Sequence, residues 1–522
     1  MNVRKSFTII SIIIIFTLVL AKLYWGLIII GPIALLGLYD LIQKKHTILR
    51  IYPVIGHFRY LFESIRPEIQ QYFVESDISG RPINREFRAL VYQRAKKELD
   101  TRPFGTQFDV YRSGYEWINH SLAPMHVENK HPRVMFGGPD CKKPYSASPM
   151  NISAMSFGAL SKHAIMALNK GAKLGNFAHN TGEGGLSAYH LKHGGDIIWQ
   201  IGTGYFSCRD QNGLFDKDLF ALKAQLNVVK MIEIKLSQGA KPGHGGILPA
   251  AKLTAEIAEI RHVPMGQDVI SPPAHSAFDS PKGLLEFVSE LRRLSGGKPI
   301  GFKLCIGKRS EFLGICKAML DTGITPDFIT VDGGEGGTGA APIEFTNSVG
   351  TPLRDAIIFV NNALVGTGLR SKIRIIASAK ILSAFHLARI IALGADTVNS
   401  ARGMMLALGC IQSRSCNTDK CPTGIATQDP ARYKSLDIDV KGQRVSNFHS
   451  LTIASLTDLY GACGLETLSE LEPHHINRRV DSSTTASYDE LYPAVTPLCL
   501  LSDKDIPEPW RYSWRKASAE KW

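Results

Sequence analysis

The 522-residue sequence predicts an α/β protein built on a (β/α)8 TIM barrel, with an N-terminal helical membrane hairpin and added N- and C-terminal segments. Two observations carry this prediction. From about residue 148, short apolar segments that end in glycine or polar clusters alternate with helical segments, and two long apolar segments stand near the amino terminus. Buried parallel strands are continuous apolar segments, and strand–helix alternation indicates βαβ units.

The composition describes a folded protein that is large enough for one elaborated domain or two. Hydrophobic residues make up 44% and charged residues 20% of the chain, as in ordinary globular proteins. The net charge of +13 favours an acidic partner or an anionic membrane surface. The basic residues of the chain are dispersed, and the sequence has neither an arginine-rich helix nor zinc-finger spacing. We therefore expect no nucleic-acid partner.

The first elements in the chain are two apolar segments, residues 7–21 and 23–42. A bilayer core of about 30 Å needs roughly 20 helical residues, which the second segment supplies. Basic residues lie at both outer ends, so the sequence predicts a hairpin with both ends in the cytoplasm and Lys22 on the far side; they are Arg4, Lys5, Lys44, Lys45, His46 and Arg50. A cleaved signal peptide ending at residues 19–21 is the alternative.

These patterns divide the chain into four segments. Residues 1–50 form the membrane hairpin, and residues 51–147, polar and rich in aromatic side chains, form an N-terminal arm that packs on the next segment. Residues 148–430 form the barrel. Residues 431–522 form an extension that packs on the barrel. We expect the hairpin to hold the protein at the cell membrane with its catalytic domain in the cytoplasm.

Nine segments are candidate barrel strands, one more than a barrel of eight needs. They are residues 150–155, 176–180, 196–201, 228–234, 268–271, 300–306, 327–332, 373–378 and 396–400. Helical segments such as 284–294 and 384–395 lie between them. A doubly wound open sheet is the structural alternative. In either fold, the glycine-rich, polar and cysteine-containing segments follow the carboxyl ends of the strands. A TIM barrel has its active site at the carboxyl-terminal end of its strands.

Three cysteines within twelve positions, Cys410, Cys416 and Cys421, stand apart from the other six, which are scattered. Their intervals do not fit one helical face, so a loop must carry them. Zinc usually requires a fourth ligand and closer cysteine pairs, whereas a 3Fe–4S cluster requires three thiolates. The other interpretation is three small buried side chains without a ligand.

Four further loops are rich in glycine and polar residues. "VDGGEGGTGAAP" (331–342) contains a G-x-G-x-x-G spacing that is weak on its own, because it comes after a late strand and continues into Pro342. The other loops are residues 153–161, 179–187 and 233–249. Backbone amides and lysines in such loops can bind phosphate or carboxylate, although ordinary turns have the same composition.

Taken together, these motifs resemble the FMN-binding synthase domain of glutamate synthases. "SAMSFGALS", "NTGEGG", "QGAKPG", "ISPP", "FKL", "GGTGA" and "CPTGIATQ" occur in this family's order over residues 148–430. The likeness is greatest to its membrane-anchored, stand-alone members. It implies FMN at the carboxyl-terminal face of the barrel and a 3Fe–4S cluster on Cys410, Cys416 and Cys421.

The resemblance also implies which residues bind the flavin. Ser153, Ala154, Met155, Ser156, Gln200 and Lys303 match flavin contacts, and Lys303 would stabilise the reduced, anionic ring. The phosphate would lie on the amides of Gly336, Gly337 and Thr338 and those near Ala401 and Arg402.

Glu183, Lys241 and Arg261 match the family's positions around a 2-oxo acid. The two cations would pair with its carboxylates. The implied reaction is the reductive amination of 2-oxoglutarate through 2-iminoglutarate to glutamate, with electrons from a donor such as ferredoxin, which is acidic. Because the chain begins with the apolar segments and not with a glutaminase domain, we expect external ammonia to be the nitrogen source.

Two departures from the family pattern concern the substrate and the phosphate. Ile247 stands where a glutamine is usual, and "IIASAK" (375–380) replaces a "DGG" segment. Ile247 favours the alternative that the same cofactors act on a different 2-oxo, imino or amino acid. The hairpin and the net charge of +13 favour another, a membrane-held electron-transfer subunit without turnover.

Overall fold

The computed structural model describes residues 3–522, which form two compact units, residues 3–85 and residues 86–522. The first unit contains the two apolar segments and the residues directly after them. The second contains the barrel and the segments that pack on it.

The first unit begins with two apolar helices, α1 (Val3–Leu20) and α2 (Leu27–Ile42). By length and composition both could cross a membrane, α2 together with the short 3₁₀ turn Tyr24–Gly26 before it. The two helices pack closely, since a Cβ on Gly37 would lie 2.0 Å from the ring of Phe7. The connection passes through Lys22, whose φ of +54° lies in the left-handed region.

A short helix, Thr47–Ile51, and a longer one, α3 (Gly56–Ile69), complete the helical part of this unit; α3 continues as a π turn, Gln70–Val74. Asp40, buried in the last turn of α2, fixes the start of α3. Its carboxylate accepts hydrogen bonds from the backbone N–H of Val54 and from Nε2 of His57, both at 2.9 Å.

Eight parallel strands close into a barrel in the second unit, which confirms the predicted fold and excludes the open sheet. Each strand pairs with its neighbours in the chain, and the last pairs with the first through Val398 and Met150. The strands are β1 (Met150–Ile152), β2 (His179–Asn180), β3 (Ile197–Ile201), β4 (Val229–Lys235), β5 (Ile300–Leu304), β6 (Phe328–Asp332), β7 (Arg374–Ser378) and β8 (Thr397–Ser400).

The ninth candidate, residues 268–271, is a strand outside the barrel. Val269–Ile270 pairs antiparallel with Ile247–Leu248, and both belong to the long connection between β4 and β5. This small ribbon and the helix Ala255–Arg261 therefore lie after the carboxyl end of β4.

Part of the predicted arm closes the amino-terminal end of the barrel. Val134–Phe136 and Tyr145–Ala147 form a hairpin. Phe136 and Tyr145 from this hairpin pack in one apolar cluster with strand residues that include Ile198 and Phe328. The opposite end of the barrel is thereby left for the functional loops.

A three-stranded sheet brings another part of the arm together with the carboxyl-terminal segment. Glu116–Ile118 pairs with Ile476–Arg479, which pairs in turn with Thr485–Ser487. The carboxylate of Glu116 binds Arg354 at 2.5 Å and Arg389 at 2.7 Å. Because these arginines lie on two helices of the barrel, the ion pairs hold this sheet to it.

The helices of the second unit surround the barrel and extend it. Several begin directly after a strand–helix loop with a serine N-cap, as Ser161, Ser280 and Ser383 do. Their bounds are Arg85–Lys96, Lys162–Gly175, Ala188–Leu191, Lys217–Ala224, Ala255–Arg261, Pro281–Leu294, Arg309–Thr322, Ile343–Ser348, Leu353–Gly366, Ala384–Ala392, Arg402–Leu408, Pro430–Tyr433, Ile438–Ala462, Tyr488–Leu491 and Glu508–Lys516.

Candidate functional site

Two adjoining cavities lie at the carboxyl ends of the barrel strands. The larger has an empty volume of about 1060 Å³ and the smaller about 500 Å³, both including space open to solvent. They share a wall, since six residues line both: Ala154, Gln238, Lys303, Gly337, Ala401 and Arg402. An elongated ligand could therefore occupy both cavities at once.

The structure brings nearly all of the predicted site residues to these two cavities. The larger one is lined by Ala154, Met155, Ser156, Glu183, Gln200, Lys241, Arg261, Lys303, Gly337, Thr338, Ala401, Arg402 and Cys416. Ser153 and Gly336 line the smaller one. Cys410 and Cys421 lie outside both linings. The structure thus gives the positions of these predicted site residues, and their roles in binding the cofactors and the substrate remain predictions.

A carboxylate surrounded by cations lies at the wall of the larger cavity. Oε1 of Glu183 is 2.7 Å from Nζ of Lys235, and the two side chains are 17% and 8% exposed. Burial favours the neutral acid, but the charge and hydrogen bond of Lys235 outweigh it, so the pKa of Glu183 is lowered. Glu183 is therefore ionised at neutral pH.

Arg261 and Lys241 add two more cations beside Glu183. Burial lowers the pKa of Arg261 to about 10 and lowers that of Lys241, while the charge of Glu183 opposes both shifts. Arg261 Nη2 donates to the carbonyl of Phe157 at 3.2 Å, and its Nε has no hydrogen-bond partner among residues 3–522. With one carboxylate for three cations, this wall carries a net positive charge that an anionic ligand would neutralise.

Glycines of the flanking loops leave the room that these charged side chains need. A Cβ on Gly246 would lie 2.1 Å from Oε1 of Glu183, and one on Gly184 would lie 2.8 Å from Nη2 of Arg261. The glycines in "NTGEGG" and "GHGGILP" are thus required by close packing around the charges and not only by turns.

A second polar network fixes Gln200 at the floor of the cavity. Its Nε2 donates to the buried carboxylate of Glu233 at 2.6 Å, which also accepts hydrogen bonds from Asn180 at 2.9 Å and Thr330 at 2.6 Å. Nζ of buried Lys303 lies 3.9 Å from Oδ2 of Asp332, and the same carboxylate oxygen accepts a hydrogen bond from the backbone N–H of Gly239 at 2.9 Å. Lys303 lines both cavities, so its ammonium group lies in the region that they share.

The smaller cavity combines the glycine loop after β6 with the loop after β7 and the start of the helix Arg402–Leu408. Gly337 packs on the guanidinium of Arg402, whose Nη2 donates to the carbonyl of Thr338 at 2.6 Å. Lys380, which was not predicted as a site residue, also lines this cavity with a left-handed backbone. Backbone amides and two cations on one wall make it suited to phosphate.

The three cysteines lie in one loop directly after this helix. Cys421 is buried, and Cys410 and Cys416 are half-buried. Burial raises the pKa of Cys410, and the charges of Cys416 and Cys421 raise it further, so the three thiols are within electrostatic reach of one another. The pKa of Cys421 is lowered despite burial, because Thr423 and the backbone amides of Thr423, Ile425 and Ala426 donate to its sulfur.

Among residues 3–522, no group of three cysteine, histidine or acidic side chains lies close enough to hold a single metal ion. A cluster spaces its thiolates farther apart than one ion does, because each thiolate binds a different iron atom. Three thiols in one loop, with amide donors at Cys421, suit a cluster better than a single zinc ion, and the cluster stays a prediction.

Lysines at the site were the residues that sequence analysis missed. Lys235, the last residue of β4, pairs with Glu183; Lys252 donates to the carbonyls of Ala159 and Cys416 and lines the larger cavity. Lys235 lies in a segment already singled out, at a strand end, so its position was a usable signal. The sequence contains no comparable signal for Lys252, because only folding brings this residue to the cysteine loop.

Comparison with known proteins identifies a family. Residues 106–466 match the family described as the conserved region in glutamate synthase. The glutamate synthase large subunit-like protein YerD of Bacillus subtilis is 38% identical over 491 residues, covering 86% of this chain and 93% of the relative. The archaeal glutamate synthase [NADPH] of Methanocaldococcus jannaschii is 37% identical over 325 residues, 62% of this chain and 60% of the relative.

The similarity to solved structures is much lower. A mutant flavocytochrome b2 with pyruvate bound is 10% identical, covering 84% of this chain and 92% of that chain, with a TM-score of 0.42. A likeness at this level carries no argument about this chain.

Proposed function

The chain belongs to the glutamate synthase family of oxidoreductases, and we propose that it makes glutamate by FMN- and iron–sulfur-dependent reductive amination of 2-oxoglutarate with external ammonia. The observation that carries the proposal is the cationic wall of Lys235, Lys241 and Arg261 around ionised Glu183 at the mouth of the barrel.

The two joined cavities support FMN as the cofactor. The isoalloxazine ring would lie in the larger one, against the loop Ser153–Ser156, Gln200 and Lys303, and the phosphate in the smaller one, on Gly336, Gly337, Lys380 and Arg402. When bound, FMN supplies a hydride for the imine carbon. The charge of Lys303 would stabilise negative charge on the reduced ring.

The residues of the cationic wall would bind and orient the substrate. Lys241 and Arg261 would pair with the two carboxylates of 2-oxoglutarate, which removes the cost of burying these cations. Glu183, ionised beside them, can accept a hydrogen bond from the protonated imine nitrogen and keep that proton in place. Lys235 holds Glu183 in position through their 2.7 Å contact.

Cys410, Cys416 and Cys421 would bind a 3Fe–4S cluster, which supplies single electrons. The support is their mutual proximity and the position of Cys416 on the wall of the larger cavity. Exposed Arg414 and Lys420 flank Cys416 in the same loop. This basic surface and the net charge of +13 suit an acidic electron donor such as ferredoxin.

The helices α1 and α2 would anchor the protein in the cell membrane, with the catalytic unit in the cytoplasm. Their length and composition support this, as do the basic residues in the first turn of α1, Arg4 and Lys5, and those after α2.

The proposal is tested on the full-length protein purified in detergent. Flavin and iron are quantified, and glutamate is measured from 2-oxoglutarate and ammonium with reduced ferredoxin or NADPH as donor. We expect one FMN per chain, iron, and glutamate formation with ferredoxin. Bound flavin that is reoxidised by no 2-oxo acid would overturn the enzymatic assignment in favour of electron transfer alone.

Ile247 favours a second candidate, the same chemistry on a different 2-oxo or imino acid. It lines the larger cavity among the cations, where it offers no polar group to a substrate. Flavin reoxidation by 2-oxo acids with ammonium separates the two: turnover with 2-oxoglutarate alone excludes this candidate, and a preference for a substrate with an apolar side chain supports it.

A further inference from the structure

An exposed apolar face lies on α3, in the unit that contains the hairpin. Phe58, Leu61, Phe62, Ile65 and Ile69 are 38–60% exposed. At about 100° per residue, these five positions fall within roughly 100° of the helix circumference. Phe73, in the π turn that continues the helix, is 84% exposed. Soluble proteins do not leave a continuous apolar face of this kind without a partner.

The position of α3 in the chain points to that partner. Asp40, in the last turn of α2, binds the backbone of Val54 and the ring of His57. The first turn of α3 is therefore tied to the end of a helix that is long and apolar enough to cross a bilayer. If α2 spans the membrane, α3 begins at the membrane surface.

Charge around α3 agrees with this location. Arg66 and Arg59, which pairs with Glu63 at 3.0 Å, lie at the same edge of the apolar face, roughly 80–100° from Phe58 around the helix. Long side chains at such an edge reach phosphate headgroups while the face is buried. Lys44, Lys45 and Arg50 lie in the connection between α2 and α3. Basic residues at the cytoplasmic end of a span are attracted to anionic lipid.

We propose that α3 and the π turn after it lie in the plane of the membrane, with the apolar face in the acyl region of the cytoplasmic leaflet. Their 19 residues would extend about 28 Å along the surface at about 1.5 Å per residue. The inference rests on the membrane anchor proposed above and adds to it an interfacial helix that holds the unit flat on an anionic surface.

The test uses the full-length protein in vesicles of phosphatidylcholine and phosphatidylglycerol, with a photoreactive benzoylphenylalanine at one position at a time. Phe62→benzoylphenylalanine lies on the apolar face, and Phe58→benzoylphenylalanine is a second site on it. Ser64→benzoylphenylalanine, two residues from Phe62 on the opposite side of the helix, is the matched control. Ile13→benzoylphenylalanine, in α1, reports the hairpin.

We expect the two face positions to attach to lipid several-fold more than Ser64 and about as much as Ile13. Attachment of the face positions to protein, either the barrel unit or a second copy, would overturn the inference. Lipid at Ile13 with none at Phe58 or Phe62 would overturn it and leave the hairpin intact. Lipid at none of the four positions would overturn the membrane anchor as well.

Discussion

The mouth of the barrel and the helix α3 depart from the usual distribution of side chains in opposite ways. The barrel buries Glu183, Lys235 and Arg261 where most proteins bury apolar groups. Helix α3 exposes Phe58 and Phe62 where most proteins expose polar ones. Each departure costs stability in the isolated chain. Each therefore indicates a ligand: an anion for the buried cations, and a lipid surface for the exposed apolar face.

The comparison predicts that changes at the mouth affect chemistry and that changes on α3 do not. The largest effect is expected for Cys416→Ala, since removing one of three thiolates should empty the iron site and stop glutamate formation with ferredoxin while flavin stays bound. Iron and flavin content check this. Cys463→Ala is the control, because Cys463 is half-buried in a different loop. Unchanged iron in Cys416→Ala would contradict the ligand assignment.

Arg261→Gln removes the cation expected to bind a substrate carboxylate. We expect kcat/KM to fall about 100-fold or more, equivalent to about 3 kcal/mol for a charge-assisted hydrogen bond. Arg209→Gln is the matched control, since both guanidinium groups stack near the ring of Phe206, at 5.8 Å for Arg209 and 5.0 Å for Arg261, but only Arg261 lines the cavity. Equal losses in both variants would indicate a packing role.

Glu183→Gln leaves Lys235 buried without its carboxylate, which should destabilise the protein by about 3 kcal/mol at pH 7. Because the folded state lowers the pKa of Glu183, this stabilisation is present above the unfolded pKa of about 4.3 and is lost as pH falls through the lower folded value. The difference in unfolding temperature between wild type and variant should therefore be nearly constant from pH 7 to pH 5 and narrow only below about pH 4, so the two proteins are compared at pH 7 and pH 3. Exposed Glu259→Gln should show no difference at either pH.

Gly246→Ala tests whether close packing positions Glu183. The added Cβ would lie 2.1 Å from Oε1, so the carboxylate must move, and we expect kcat to fall about 10- to 100-fold. Gly307→Ala is the control, because a Cβ there meets nothing within 4 Å and Gly307 lines neither cavity. Steady-state kinetics of glutamate formation give both values; similar kcat values for the two variants would show that Glu183 tolerates displacement.

The smallest effect is expected for Phe62→Ser on α3. Turnover in detergent should stay within about twofold of wild type, because Phe62 does not line the cavities and an exposed side chain contributes little to folding. Leu248→Ser is the matched comparison, because Leu248 is a buried apolar side chain that lines the larger cavity. We expect this variant to have clearly lower turnover than wild type. Loss of activity in Phe62→Ser would mean that α3 and the catalytic unit are coupled.

The barrel could be predicted from sequence because its strands are continuous apolar segments, and eight of the nine candidates are barrel strands. The ninth, residues 268–271, looked the same because Val269–Ile270 is also a short apolar strand. Sequence periodicity reports that a segment is extended and does not report which sheet it joins. The partner of that strand, Ile247–Leu248, is equally short but lies between Gly246 and Pro249, so its sequence indicates a loop.

The glycine-rich loops and the cysteine spacing indicated where the site lies, whereas individual residues such as Gln200, Lys303 and Arg261 were predicted from the resemblance to the glutamate synthase family. The cations Lys235, Lys252 and Lys380 were missed for a physical reason. A lysine is usually a solvated surface residue, and only its surroundings show that it is buried against a carboxylate, a carbonyl or a cavity.

By itself the sequence determined the kinds of structure: a barrel, two helices of membrane-spanning length, and loops able to carry a ligand. Each of these structures depends on a local pattern of apolar residues, glycine or cysteine, and such a pattern can be read from residues that are close together in the chain. Only the tertiary structure decided that Glu183, Lys241 and Arg261 face one another across a single cavity and that Asp40 joins α2 to α3. Such contacts join residues far apart in the chain, and their energies depend on burial, which exists only after folding.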